Sequence, residues 1–308
     1  MRLPLNLNPS YRSILDIAFP VDILESNNCF DEELFCHFYW QLRGYGERQE
    51  VGFAHYNLLD NDRLFESISL NAQATNIVEE LKKHLGNGYY ILSLLDEFYI
   101  PCRSSFNRRH YMHGNLIFGF EDKQQFIAAA YDDHSKYTAT AFTEQELLSA
   151  LRINYLPGLP PPSLLAVKPR TNINFPKKPD LFLYYLKAHL YSFDGFHNDT
   201  ILCGLQAVEK MARDFSVHTS IVSLYTIKEH KELTQKRLHF LNYYGIVPRD
   251  FSDEYQVVVD QARMAVMLWI KWQLTGQINH ADAIQKILLC LIEKEKTILG
   301  DVISQAQI

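Results

Sequence analysis

The sequence predicts an α+β protein in which residues 1–165 build an antiparallel sheet with helices and residues 166–308 form an α-helical domain. Three observations predict it. Apolar runs of strand length, Tyr89–Leu95, Gly114–Phe120 and Gln124–Tyr131, crowd into the first half with short connections between the last two. The composition then changes at PGLPPPSLLAVKPRTNINFPKKP, residues 157–179, where seven prolines without a clear period mark a connection or an edge strand crossing between domains. Beyond it, apolar residues recur at spacings of three and four almost to the end of the chain.

Each element follows from local pattern. After an irregular start, Cys29–Leu42 carries Phe30, Leu34, Phe35, Phe38 and Leu42 near helical spacing, with Asp31, Glu32 and Glu33 in a first turn that suits acids. Gln49–His55 reads as a short strand and Asn71–Leu85 as an amphipathic helix stopped by Gly86 and Gly88. Tyr89–Leu95 reads as a buried strand. A hairpin follows, turning at Glu121-Asp122-Lys123, and Thr143 with Glu146 forms a capping box that opens another short helix toward Leu151. In the second half, Pro179–Tyr191, Gly195–Phe215, Ser223–Tyr244, Asp253–Leu274 and Ala281–Ile303 read as helices of a bundle.

Composition narrows the function. With 47% hydrophobic and 21% charged residues and a net charge of −6, the chain has no polycationic stretch, which argues against nucleic acid and anionic membrane as partners. No run of eighteen apolar residues occurs, and MRLPLNLNPSYRS has no basic segment followed by an apolar one, so a cytoplasmic protein is expected. Five scattered cysteines without a CxxC pair fit reduced thiols better than disulfides or zinc. His218, His230, His239 and His280 show no metal-ligand spacing, and no metal site is predicted.

The chemistry centres on the hairpin. His113 opens one strand and Asp132 closes the next, and antiparallel pairing brings those outer ends together as the base and orienter of a nucleophilic triad. Asp133 competes with Asp132, because adjacent strand residues point to opposite faces, and His110 competes with His113. The candidate nucleophile is Cys29, at the predicted start of a helix, where the peptide dipoles favour a thiolate; its alternative is a small buried apolar residue. Arg103, Arg108 and Arg109 form a basic cluster able to meet a phosphate or an acidic partner helix, or simply a solvated loop, and Asp96 could bind an amine or cap a turn.

The order cysteine, strand histidine, aspartate reproduces that of papain-like hydrolases. The pattern Leu95-Asp96-Glu97-Phe98-Tyr99-Ile100-Pro101, the basic stretch with Arg103, Arg108 and Arg109, His110 and His113, Gly119-Phe120 and Asp132 makes it more specific. Over residues 20–155 the chain resembles the bacterial papain-like cysteine acyltransferases of natural-product pathways, a family that includes the N-terminal domain of the butirosin biosynthesis acyltransferase and the thiotemplated amide synthase of closthioamide biosynthesis. The likeness continues more loosely around Gly195, Phe196 and the helix holding Arg263.

The resemblance implies a papain-like first domain and an amide synthase: an acyl group passes from a carrier-protein thioester to Cys29 and then to a small amine, with His113 as base and acid and Asp132 fixing its tautomer. It implies an acyl or peptidyl carrier protein as partner and no cofactor of the chain's own, the phosphopantetheine being carried by that partner. Asp96, Tyr99, Arg103, Arg108, Arg109 and His110 would meet substrate or carrier. One position departs from the pattern: the glutamine expected six residues before the nucleophile is Ile23, which leaves Asn27 or Asn28 to complete the oxyanion site. A hydrolase using the same triad, and a papain-like binding scaffold with an unused Cys29, are the alternatives.

Overall fold

A computed structural model describes residues 1–36, 41–45, 50–53, 62–121, 124–132, 136–151, 162–171, 173, 177–193, 202–216, 218–277 and 279–307. The fold is α+β with antiparallel sheets, and the chain divides into two compact units. Residues 1–30 and 57–174 make the first, and residues 31–56 and 175–308 the second. The expected division at residue 165 is thereby corrected: the first unit is interrupted by a segment that belongs to the second, and the proline-rich stretch supplies the sheet rather than merely leaving it.

The first unit is a six-stranded antiparallel sheet of β3 (Phe65–Leu70), β4 (Tyr90–Asp96), β5 (Met112–Glu121), β6 (Gln125–Tyr131), β7 (Tyr137–Thr143) and β8 (Ser163–Pro169). Its order is β3-β8-β4-β5-β6-β7. Strand β8 therefore lies between β3 and β4, and its inner residues Leu164, Ala166 and Val167 are buried. The hairpin β5–β6 is present as the sequence predicts, and Gln124 at its turn takes a left-handed φ of 56°.

Helices cover both faces. On one, Ile77, Leu81 and Leu85 of α3 (Ile77–Gly86) and Leu147, Ala150 and Leu151 of α4 (Glu144–Leu151) pack onto Ile91, Leu95, Ile117, Phe126 and Phe142. The α4 cap forms as a reciprocal box, Glu146 N–H to Thr143 Oγ1 at 3.2 Å and Thr143 N–H to Glu146 Oε2 at 2.7 Å. On the other face lies α1 (Leu15–Ser26), where the pattern predicts only irregular chain. Residues 17–24 of α1 are all buried, so no polar face reveals a period, and Pro20 reads as a breaker although it sits within the helix.

In the second unit, α2 spans only Glu32–Cys36, capped by Asp31, whose Oδ1 accepts from the N–H groups of Glu33 and Leu34. The predicted helix Cys29–Leu42 is thus shortened, and Leu42 begins β1 (Leu42–Tyr45), paired with β2 (Glu50–Phe53). The remaining helices are α5 (Pro179–Leu190), α6 (Gly204–Arg213), α7 (Ile221–Tyr243), α8 (Ser252–Thr275) and α9 (Asn279–Gln305). Gly195 and Phe196 lie outside the described residues. No helix among the described residues is long and apolar enough to cross a membrane.

Candidate functional site

The chemistry-bearing residues gather where β4 ends and β5 begins. Asp96 closes β4, and with no exposed surface its carboxylate accepts from the N–H groups of Phe98 at 3.1 Å and Tyr111 at 2.9 Å. These bonds tie the 3-10 turn Glu97–Tyr99 to the strand that follows. The other carboxylate oxygen lies 2.5 Å from His110 Nδ1, and the His110 ring stacks on Phe98 with centroids 4.4 Å apart. Asp96 is therefore spent on its own chain and on His110, the turn-capping one of its two expected roles and not the binding of a substrate amine. Tyr99 packs edge-on against Phe98, 6.1 Å from the His110 ring.

A second pair forms one residue along. His113 Nδ1 lies 2.7 Å from Glu97 Oε1, and Glu97 is itself buried beside the guanidinium of Arg103, whose Nε is 3.5 Å from the same oxygen. Arg103 donates to Tyr131 O at 2.7 Å and to Asn115 Oδ1 at 3.2 Å, and Asn115 donates in turn to His113 O at 3.0 Å. A guanidinium buried against the Glu97 carboxylate and donating to Tyr131 O and Asn115 is not available to a carrier phosphate, as the basic-cluster reading would require. Arg108 and Arg109 remain exposed, and the Arg109 guanidinium lies 5.5 Å from the centre of the Tyr111 ring.

Both imidazoles are thus fixed through Nδ1 to a carboxylate, which leaves Nε2 of each without a hydrogen-bond partner among the described residues. That arrangement selects the tautomer with its lone pair on Nε2, the form able to accept a proton. The His113 side chain keeps 21% of its surface exposed, enough for a reactant to reach it.

Asp132 does not fill the orienting role. Continuing the β5–β6 register does set position 132 opposite 113, as the pattern predicts, but Glu97 occupies the Nδ1 side of the ring. The Asp132 carboxylate accepts the Lys136 N–H at 2.8 Å and its own N–H reaches Lys136 O at 2.9 Å, so it closes the β6–β7 connection. Asp133 lies outside the described residues.

Cys29 is likewise not brought to His113. Its N–H bonds to Leu24 O at 2.8 Å, which places it just past the C-terminal end of α1, where the helix dipole disfavours a thiolate. Burial also raises its thiol pKa, and Sγ points to Asn27 O at 3.3 Å. Asn27 Nδ2 donates to Ile23 O at 2.7 Å and Tyr90 OH at 2.8 Å, so its donors are committed, and Asn28 holds a left-handed φ of 53° in the same turn. The oxyanion assignment to Asn27 and Asn28 falls with that of Cys29.

Strand geometry explains the separation. Tyr90, which Asn27 touches, and Leu95, which pairs with His113, sit at opposite ends of β4, about 17 Å apart. They also point to opposite faces, Tyr90 toward α1 and Leu95 toward α3 and α4. A Cβ on Gly114 would meet Leu15 Cδ1 at 3.2 Å and Phe19 Cε2 at 3.6 Å, so the start of α1 lies over the start of β5 and α1 runs toward Tyr90. The start of α1, with Ile14 as its N-cap and the buried Ser13 before it, therefore lies over Gly114 on the face opposite Leu95. Sequence reasoning missed α1, and missed Glu97, although Asp96-Glu97 and His110/His113 are paired carboxylates and paired histidines in one short motif.

In the helical unit, His189, His230 and Glu295 bring potential ligand atoms within 4.8 Å of one another, all buried. Lys231 Nζ already stands 2.7 Å from Glu295 Oε2 and 3.0 Å from His189 Nε2, so an ammonium supplies the positive charge there. Tyr255 OH also donates to Glu295.

No family model matches the chain, and no curated protein does.

Proposed function

We propose that the chain catalyses transfer of an acyl group from a carrier-protein thioester to a small amine, on a papain-like α+β scaffold, with the Glu97-oriented His113 as general base. The observation that carries this reading is the 2.7 Å contact between His113 Nδ1 and Glu97 Oε1, on a side chain that keeps 21% of its surface exposed. The sequence resemblance over residues 20–155 supports the reaction class, and a long helix laid across an antiparallel sheet supports the scaffold.

The position of Cys29 favours direct aminolysis over an acyl-cysteine. The amine nitrogen attacks the thioester carbonyl while His113 Nε2 takes its proton; the tetrahedral adduct then collapses, the C–S bond breaks, and the imidazolium returns the proton to the departing carrier thiol. Glu97 stabilises the imidazolium in between. Exposed Arg108 and Arg109 offer positive charge to the phosphopantetheine phosphate of the carrier.

Incubation of the full chain with an acyl thioester and an amine, followed by mass analysis, tests the proposal. Amide formation that persists in Cys29→Ala and is lost in His113→Ala is expected. Loss in Cys29→Ala, together with an acyl adduct on that cysteine in the parent protein, would overturn it; free acid formed with or without amine points to a hydrolase instead. Ser13→Ala, run in parallel, reports whether this buried serine carries the acyl group in transit.

A second reading, a binding scaffold without turnover, is favoured by one observation. Among the described residues no serine, threonine or cysteine side chain is hydrogen-bonded to either imidazole. Carrier binding without turnover of any thioester would establish it.

A further inference from the structure

Helix α8 buries Tyr255, Val258, Val259, Ala262, Ala265, Val266 and Trp272 within its unit, and its opposite side carries an unusual outer stripe. Val257, Asp260, Met264, Met267, Lys271 and Leu274 follow one another at spacings of three, four, three, four and three, which keeps them on one side of the helix. All six are exposed: Val257 37%, Met264 52%, Met267 65% and Leu274 82%, with the Asp260 side chain at 59% and Lys271 on the surface. Four large apolar side chains on one exposed helix face are more than scattered surface hydrophobics.

The order of the stripe is a palindrome in chemical type: apolar, acid, Met, Met, base, apolar. Laid antiparallel on itself about the midpoint between Ala265 and Val266, each position meets its complement. Val257 faces Leu274, Met264 faces Met267, and Asp260 faces Lys271, and two-fold symmetry makes every pair twice. A parallel pairing would set Asp260 against Asp260 and Lys271 against Lys271. The spacing is also that of helices packing at a shallow angle with interlocking side chains.

We propose that α8 is a self-association surface on which a second copy of this chain docks its own α8 antiparallel, with the Met264–Met267 pairs at the centre and an Asp260–Lys271 ion pair toward each end. The stripe is about 26 Å long and one helix wide, at the small end of specific interfaces, so the dimer forms and dissociates with protein concentration.

Sedimentation of the full chain from low micromolar to near-millimolar concentration reads the mass directly. A monomer–dimer equilibrium is expected. Asp260→Lys places four like charges across the two-fold and is expected to raise the dissociation constant by about tenfold or more, as is Lys271→Asp. Mixing these two single variants in equal amounts is expected to restore a dimer, because each copy then meets the opposite charges of the other at every contact. Circular dichroism and thermal unfolding of each variant confirm that the helices are intact. A parent protein monomeric at all concentrations overturns the proposal and leaves the stripe to a different partner. A dimer unaffected by either single variant, or variants whose mixture stays monomeric, overturns it equally.

Discussion

His113 and Glu97 are joined by a 2.7 Å contact at the mouth of the strand pair β4–β5, and the buried Arg103 sits on the far side of that carboxylate. The carboxylate therefore stands between the guanidinium and the imidazole. Removing the middle charge leaves the ring without a fixed tautomer. Glu97→Gln is expected to lower the rate of acyl transfer by about 10²–10⁴-fold. The pH–rate profile checks it, because a lost base displaces the acid limb whereas a merely unfolded protein loses rate at every pH.

Cys29 is expected to behave as an ordinary partly buried thiol. Burial raises its pKa and it lies past the C-terminal end of α1, so alkylation near neutral pH should mark the exposed Cys102 and Cys290 before Cys29. Peptide mass mapping over a time course measures the order. Preferential labelling of Cys29 would contradict its placement.

Arg103 is expected to be structural. Its side chain is almost wholly buried and holds Tyr131 O, Asn115 and Glu97 together, so Arg103→Met strands a buried carboxylate. A loss of about 3–5 kcal/mol in stability is expected, measured by urea unfolding. Arg108→Met and Arg109→Met, on the surface, should shift stability by less than about 0.5 kcal/mol.

The helical unit should weaken in acid. Burial, reinforced by the Lys231 ammonium, holds His189 down to about 4 from an ordinary 6.5, so between those values the unfolded chain binds a proton that the folded chain refuses. Stability is complete above pH 6.5 and falls as pH drops toward 4, by roughly 3 kcal/mol for this one group. Glu295 acts in the same direction at lower pH: burial alone would raise its pKa, but Lys231 and His189 override it and hold the carboxyl at about 2, below its ordinary 4.5. The stability it contributes is present above 4.5 and lost as pH falls toward 2. Thermal unfolding followed by circular dichroism across that range checks both.

Gly204 opens α6 with φ of +55°, and a Cβ there would stand 2.3 Å from His189 O. Backbone cannot yield as a flexible side chain does. Gly204→Ala is expected to cost more than about 1 kcal/mol, read by the same unfolding experiments.

Local pattern carried much of this architecture. The hairpin β5–β6, the capping box at Thr143 and the helices α5, α8 and α9 are legible because each has a polar side against which an apolar period stands out. Helix α1 is not legible, since burial on all sides erases the period and Pro20 imitates a boundary. Nor is the place of β8, because proline content reports backbone restriction and not which neighbours a strand acquires. The site divides the same way. Hairpin register foretells that Asp132 faces His113, but the 3-10 turn after Asp96 delivers Glu97 to the ring first, a tertiary event with no periodic signature.

The position of β8 sets a timetable for synthesis. Strands β3 and β4 have no hydrogen bonds to each other; both wait for residues 163–169, which leave the ribosome long after them. Through that interval β4 can pair with β5 on one edge while its other edge stays open, and β3 has no partner in the sheet at all. A nascent chain stalled before residue 163 therefore exposes an adhesive strand edge.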